Sequence, residues 1–274
     1  MPELPEVETV RRSLEPAIAG RRVERAEAGP APLRLGPDVE TWRRLVVGRR
    51  LEHLGRRGKY LLGWWGGAVG VLHLGMSGRL VVQPAEQPRP AHTHLVLGLE
   101  GGRELRFVDP RRFGMAVVVP AAELDTFAPL AVLGPDPLEG DVTPVLVAAA
   151  ARSRVAVRNL LLDQTVVAGL GNIYANEALF RAGIHPLRRA CRVAARRVAA
   201  LGRAVPEVLE DALVAGGTTL ADGGFVDSEG RNGYFAVDLA VYGREGLPCR
   251  NCGAPVRRRS AQGRSVFFCS RCQR

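Results

Sequence analysis

Cys249-Arg-Asn-Cys252 and Cys269-Ser-Arg-Cys272 stand near the end of the chain as two C-x2-C pairs, with sixteen residues between Cys252 and Cys269. Two tight knuckles at that separation can direct four thiolates to the corners of a tetrahedron, as a structural zinc requires. Protein ligands fill all four positions, so the expected cofactor is one structural Zn²⁺ with no open site for substrate. Two disulfides, the other use of four cysteines, are disfavoured in a reducing cytoplasm. From Cys249 through Arg274 there are seven arginines and no acid. The metal hairpin therefore offers a positive face suited to phosphate. Cys191 lies far from the module and reads as an ordinary thiol.

Working back from the module, the chain is rich in Ala, Leu and Arg from about 145 to Ala215, and this predicts helix. A Gly-rich polar stretch over 216–233 predicts a loop. Residues Ala128–Pro144 hold four prolines and two glycines among several acids and read as a linker. Before it, one helix is expected from about Val7 to Ala19, ended by Gly20. Short apolar runs follow at Lys59–Trp65, Ala68–Leu74, Arg79–Val82, His94–Leu99 and Met115–Val119. That rhythm suggests a sandwich or a barrel. The expected organisation is 1–127 mainly β, 128–144 linker, 145–235 helical, and 236–274 zinc module.

The net charge is +10 over 274 residues, with a pI near 10.3. This favours polyanionic partners, nucleic acid above all. No run approaches the ~18 apolar residues of a membrane span, and the first residues are too acidic for a secretory signal. A cytoplasmic location is expected.

Of the 38 basic residues 37 are arginine, and Lys59 is the single lysine. Lysine is a compact charge that can lose its proton where the surroundings lower its pKa. The chain opens Met1-Pro2-Glu3-Leu4-Pro5-Glu6. Removal of Met1 before the small proline leaves a free secondary amine, of the α-amino class with a pKa of about 7.7–8. Such an amine can attack a sugar C1′ and form an iminium, with Glu3 beside it to move protons. If Met1 is retained, Pro2 nitrogen is an amide and cannot attack.

Together these residues closely resemble the bacterial formamidopyrimidine-DNA glycosylase (8-oxoguanine DNA glycosylase) family. The matching blocks are Pro2-Glu-Leu-Pro-Glu-Val-Glu8, Gly58-Lys-Tyr-Leu-Leu62, His73-Leu-Gly-Met-Ser-Gly78 and Asp109-Pro-Arg-Arg-Phe-Gly114. They continue through Leu161-Leu-Leu-Asp-Gln164, Val167-Ala-Gly-Leu-Gly-Asn-Ile-Tyr174, Gly183-Ile-His-Pro186 and Gly216-Gly-Thr-Thr219 to the cysteine module. The resemblance implies an α+β protein with an N-terminal β-sandwich domain bearing an N-terminal helix. A helical domain with a helix–two-turns–helix over Arg154–Phe180 and a zinc-finger hairpin follow. It implies a monomeric enzyme of bacterial base-excision repair, cytoplasmic and nucleoid-associated, that removes oxidised purines from double-stranded DNA.

The resemblance also implies roles. Pro2 is the nucleophile and Glu3 the proton donor. Lys59 serves lesion contact and β-elimination, and Arg264 serves phosphate contact and δ-elimination. Met76, Arg111 and Phe113 form the wedge that fills the hole left by a flipped nucleotide, which chemistry on a stacked base requires. His92 and Asn172 are DNA contacts. A basic family position falls within Arg152-Ser153-Arg154, where the middle residue is Ser. This leaves Ser153 or Arg154 to take that contact. The lesion-recognition loop, about 216–233, departs in detail from commoner versions.

Two rival readings are considered. The sister enzyme endonuclease VIII shares the proline, lysine and zinc but lacks the Leu4-Pro5 opening and the Asp109–Phe113 wedge. A zinc-bearing DNA-binding protein without catalysis would not need every catalytic position filled.

Overall fold

The computed structural model describes residues 1–217 and 239–274, so most of the expected lesion-recognition loop lies outside the described residues. Two compact units divide the chain. The first contains helix α1 (Leu4–Ile18), strand β1 (Val23–Ala28), helix α2 (Val39–Val46), and strands β2 (His53–Arg57), β3 (Tyr60–Trp65) and β4 (Ala68–His73). Strands β5 (Arg79–Pro84), β6 (Thr93–Leu99), β7 (Arg103–Val108) and β8 (Met115–Pro120) follow, then a short helix α3 (Ala128–Ala131) inside the expected linker.

The strands form two antiparallel four-stranded sheets, β1-β6-β7-β5 and β2-β3-β4-β8. The expectation of a sandwich or a barrel thus resolves to a sandwich. Its single core draws Leu95, Leu97 and Phe107 from one sheet and Leu61, Trp65 and Leu72 from the other. Val7, Val10, Leu14 and Ile18 of α1 close the core along one helical stripe.

Helix α1 starts three residues earlier than expected. Pro5 sits in its first turn, where a missing N–H is harmless. The Glu3 N–H donates to Glu6 Oε2 at 2.8 Å as half of a reciprocal capping box.

Strand β7 escapes the apolar pattern for a physical reason: two of its buried positions are charged. Arg106 is fully buried and donates to Glu104 at 2.7 Å, to Gln83 Oε1 at 2.9 Å, and to the carbonyls of Pro84, Gln87 and Pro88. These bonds hold the connection that leads into β6. Glu104, also buried, accepts from Arg89 at 2.7 Å and from Arg25 as well.

The second unit contains helices α4 (Thr143–Arg152), α5 (Val157–Leu162), α6 (Asn172–Arg181) and α7 (Ala195–Val214), with strands β9 (Arg257–Ala261) and β10 (Arg264–Phe268). The two strands pair antiparallel about the two-residue turn Gln262-Gly263. Glu177 of α6 fastens the segment before the hairpin. Its carboxylate accepts the N–H groups of Ala240, Val241 and Tyr242 at 2.8, 3.0 and 2.8 Å. Val241, Phe180, Val256 and Phe267 pack around this anchor with Cys249 and Cys269.

Burial alone would raise the Glu104 carboxyl, but hydrogen bonds from Arg89, Arg106 and Arg25 outweigh it and hold the group down at about 2. A carboxylate with a depressed folded pKa adds stability above its unfolded pKa and loses it as pH falls through the folded value. Stability is therefore expected to decline as pH drops from the ordinary carboxylate range toward about 2. Glu104→Gln is expected to be less stable at neutral pH and to flatten that acid limb. Denaturant melts at stepped pH check this, and an unchanged acid limb in the variant would refute it.

Candidate functional site

The N-terminal end of α1 carries the buried residues Pro2 and Glu3. One turn further on, Glu8 accepts from Arg11 at 2.9 Å, Arg12 at 2.8 Å and Arg56 at 3.2 Å. Burial alone would raise the Glu8 carboxyl, but the hydrogen bonds from Arg11 and Arg12 outweigh it and hold it below its ordinary value. Arg56 also donates to the Gly58 carbonyl at 3.0 Å. Arg57 and Tyr60 are paired across a two-residue turn whose central residues are Gly58 and Lys59. Gly58 has φ +57°, the conformation that a Gly-first hairpin turn demands. Through Glu8 and Arg56, helix α1 is thus tied to the turn that presents Lys59. Lys59 itself is buried.

The positive charge of Lys59 is felt at His73, which pairs with Tyr60 across β3 and β4. Burial first, then Lys59 and Arg34, push the His73 imidazole down to about 4. It is therefore neutral near pH 7. Its Nδ1 accepts the Gly75 N–H at 3.0 Å, so its own N–H sits on Nε2.

Arg111 and Phe113 stand on the connection between β7 and β8. Phe113 is 47% exposed and Met76 39%, large apolar groups facing solvent. The Arg111 guanidinium lies over the Phe113 ring, 5.0 Å from its centroid. A fully buried carboxylate organises this corner. Asp109 accepts from the Ser77 hydroxyl at 2.6 Å, the Arg111 N–H at 3.2 Å and the Gly114 N–H at 2.8 Å. Its backbone N–H donates to the His92 carbonyl at 3.0 Å, and its carbonyl meets buried His94 Nε2 at 2.8 Å. Gly75 lets the Met76 loop approach: a Cβ there would lie 2.6 Å from the Phe113 carbonyl carbon. His92 is exposed with φ +63°, a left-handed conformation that non-glycine residues seldom adopt. Met76, His92, Arg111 and Phe113 therefore converge on one corner with Asp109 at its centre. Asp109, Ser77, Glu8 and Arg56 were not singled out from the sequence. Only Asp before Pro, a local turn signal, pointed to the first of them.

In the second unit Asn172 opens α6. Its Oδ1 accepts from buried Arg158 at 3.1 and 2.6 Å, and its Nδ2 donates to the Ser265 carbonyl of β10 at 3.0 Å. Asn176, one turn on, accepts the Phe267 N–H at 2.9 Å. The helix is thereby bolted to the hairpin that bears Arg264. Arg264 lines a cavity of about 310 Å³ with Arg158, Asn159 and Gln262. Burial, and then the charge of Arg264, push the Arg158 guanidinium below its ordinary value. Asp163 lines the same cavity and brings one carboxylate to it. Arg154 is exposed on the loop before α5 and is not among the residues lining this cavity.

The sulfurs of Cys249, Cys252, Cys269 and Cys272 all lie within 4.8 Å of one another. Cys249 to Cys272 is 3.9 Å and Cys252 to Cys269 is 3.5 Å. Zinc with four thiolates at ~2.3 Å needs sulfur separations of about 3.8 Å. The four residues fit one structural zinc. No helix among the described residues is long and apolar enough to cross a membrane.

A buried N-terminal proline beside a carboxylate, a lysine-bearing turn, and a helical unit fastened to a zinc hairpin define a DNA-processing class of protein. Three family profiles match in order: the formamidopyrimidine-DNA glycosylase N-terminal domain over residues 1–116, its H2TH domain over 133–223, and the zinc finger found in FPG and IleRS over 246–274. A formamidopyrimidine-DNA glycosylase of Syntrophotalea carbinolica is 47% identical over 275 residues, spanning all of both chains. The MutM (Fpg) protein of Thermus thermophilus superposes with a TM-score of 0.89 at 42% identity, covering 99% of this chain and 98% of that one. A Lactococcus lactis Fpg solved with abasic-site DNA superposes with a TM-score of 0.90 at 32% identity, covering 99% of each chain. The chain belongs to the formamidopyrimidine-DNA glycosylase family.

Metal binding is part of the free energy that folds a module of this kind. Cys252→Ser is expected to lose its zinc and to bind DNA more weakly, while the sandwich unit keeps its own core. Elemental analysis and duplex binding read both effects. Equal zinc in variant and parent would count against the four-thiolate site.

Proposed function

We propose that this protein excises oxidised purines, 8-oxoguanine and formamidopyrimidines, from double-stranded DNA and then cleaves the abasic strand. The observation that carries the reading is the tie from α1, which bears Pro2 and Glu3, through Glu8 and Arg56 to the Lys59 turn. It gives a nucleophile, a proton carrier and an amine one rigid mounting, as catalytic geometry demands. Lactococcus lactis relatives have been solved with Fapy-dG DNA and with abasic-site DNA, which are the substrate and the intermediate of such a sequence.

Once Met1 is removed, the Pro2 nitrogen bonds to C1′ as the glycosidic bond breaks and the departing base takes up a proton. Glu3 donates the proton that opens the deoxyribose ring and leaves an iminium. Lys59 contacts the lesion and assists β-elimination, which breaks the 3′ C–O bond. Arg264 holds phosphate and assists δ-elimination, which breaks the 5′ C–O bond. A one-nucleotide gap results. Met76, Arg111 and Phe113 fill the hole left by the flipped nucleotide, while His92, Asn172 and Arg154 steady the backbone. The role of the zinc is structural, holding the Arg264 hairpin. The protein acts as a monomer in the bacterial cytoplasm, on nucleoid DNA.

Borohydride reduction of the imine on abasic DNA tests the nucleophile. Mature protein is expected to be trapped covalently, and an N-terminal extension that turns the Pro2 nitrogen into an amide is expected to abolish trapping. Undiminished trapping of the extended protein would exclude Pro2.

Arg111 sets the partner preference. A guanidinium carries donors only, which suit the O2 and N3 acceptors of an orphaned cytosine but meet the amino group of adenine. A good polar pair discriminates by roughly 1–3 kcal/mol, so excision opposite C is expected to be about tenfold to a hundredfold faster than opposite A. Arg111→Ala is expected to lower this preference together with overall activity. Single-turnover rates on the two duplexes decide the point, and equal rates for the parent protein would remove Arg111 from the role.

A further inference from the structure

The second unit carries a groove of about 820 Å³ lined by His185, Arg188, Arg189, Arg192, Arg259 and Arg274. No residue lining it also lines the cavity that holds Arg158 and Arg264. All five arginines are exposed, and among the described residues no carboxylate side chain lines the groove.

Among the described residues, the groove gathers five of the chain's arginines that have no acidic partner, whereas ten others are already paired. Arg11, Arg12, Arg25, Arg43, Arg50, Arg56, Arg89, Arg106, Arg181 and Arg258 each form an ion pair with Glu or Asp. Among the described residues the side chains of the five groove arginines form none. His185 adds a neutral donor. Its Nδ1 accepts the Leu187 N–H at 3.2 Å, which leaves the ring N–H on Nε2. Burial, then the charges of Arg259 and Arg188, hold that imidazole below its ordinary value. The groove floor is firm: Arg197 donates to the Arg274 carbonyl at 2.8 Å, and Gln273 to the Ile184 carbonyl at 2.9 Å.

A groove in which, among the described residues, five guanidinium groups face no acidic side chain calls for an anion. One phosphate carries at most two charges and would leave most of them uncompensated. Duplex DNA carries a charge every ~1.7 Å along its axis and releases counterions when arginine replaces them. We propose that this groove holds the phosphate backbone of a second DNA segment while the lesion site engages the first. The protein could then pass between segments without a free intermediate. The proposal rests on the reading that the protein acts on duplex DNA.

The test compares full-length zinc-loaded protein with Arg188→Glu/Arg189→Glu/Arg192→Glu and with the triple alanine version at the same positions. Zinc content and thermal melting establish that each is folded. An immobilised lesion duplex captures the protein, and a separate fluorescent lesion-free duplex is added. The parent is expected to recruit the second duplex. Charge reversal is expected to weaken recruitment at least ~tenfold, the alanine version less, as lost phosphate contacts predict. Single-turnover excision on a short lesion duplex is expected to be unchanged in both variants.

No recruitment by the parent, or equal recruitment by all three, overturns the proposal. So does loss of excision alongside recruitment, since the groove would then belong to the lesion-binding face. Binding of inorganic tripolyphosphate by the parent without recruitment of a duplex assigns the groove to small anions and overturns it too. Recruitment is read independently of excision, so a catalytic failure in the parent would strike the functional reading and leave the bridging result standing.

Discussion

Few of the 37 arginines go inside: Arg106 and Arg158 are fully buried, and the Arg56 side chain is 5% exposed. Wherever one goes inside, an acceptor must meet it, because an unpaired buried charge is costly. Arg56 meets Glu8, Arg106 meets Glu104 and a set of carbonyls, and Arg158 meets Asn172. Each meeting also positions part of the candidate site. The first fixes the Lys59 turn, the second fixes the connection ahead of His92, and the third fixes α6 against the zinc hairpin.

Arg158 is the odd member. Its principal partner is a neutral amide, so its charge is not cancelled locally, and Arg264 lines the same cavity. Two cations line this cavity with one carboxylate, Asp163, and the remaining positive charge favours an anion. The hairpin that carries Arg264 is fastened to α6 by Asn172 and Asn176.

The corner around Asp109 follows another logic. Met76 and Phe113 are both apolar and exposed, and exposed apolar groups on a loop ordinarily collapse. Asp109 prevents this by gathering the Ser77 hydroxyl and the N–H groups of Arg111 and Gly114. The connection after β7 is thereby held to the Met76 loop from beneath, leaving Met76 and Phe113 outward. Arg111 covers the Phe113 ring, so the charged group and the apolar one stay together.

The sequence alone determined features that depend on residue identity at short spacing. The four cysteines, the solitary Lys59 and the proline behind Met1 are of this kind, because local geometry suffices to give them meaning. The helical character of the second half and five of the strands were legible from apolar rhythm. Strands β1, β2 and β7 were not, because Arg25, His53, Arg56, Glu104 and Arg106 look like surface residues until their partners are known. Tertiary structure alone decided that Asp109 and Glu8 are buried organisers. It alone gathered five arginines that form no ion pair among the described residues into one groove. Arginine is one letter everywhere in the sequence. Only the distance to a carboxylate, set by residues far away along the chain, decides whether its charge is already answered or still free.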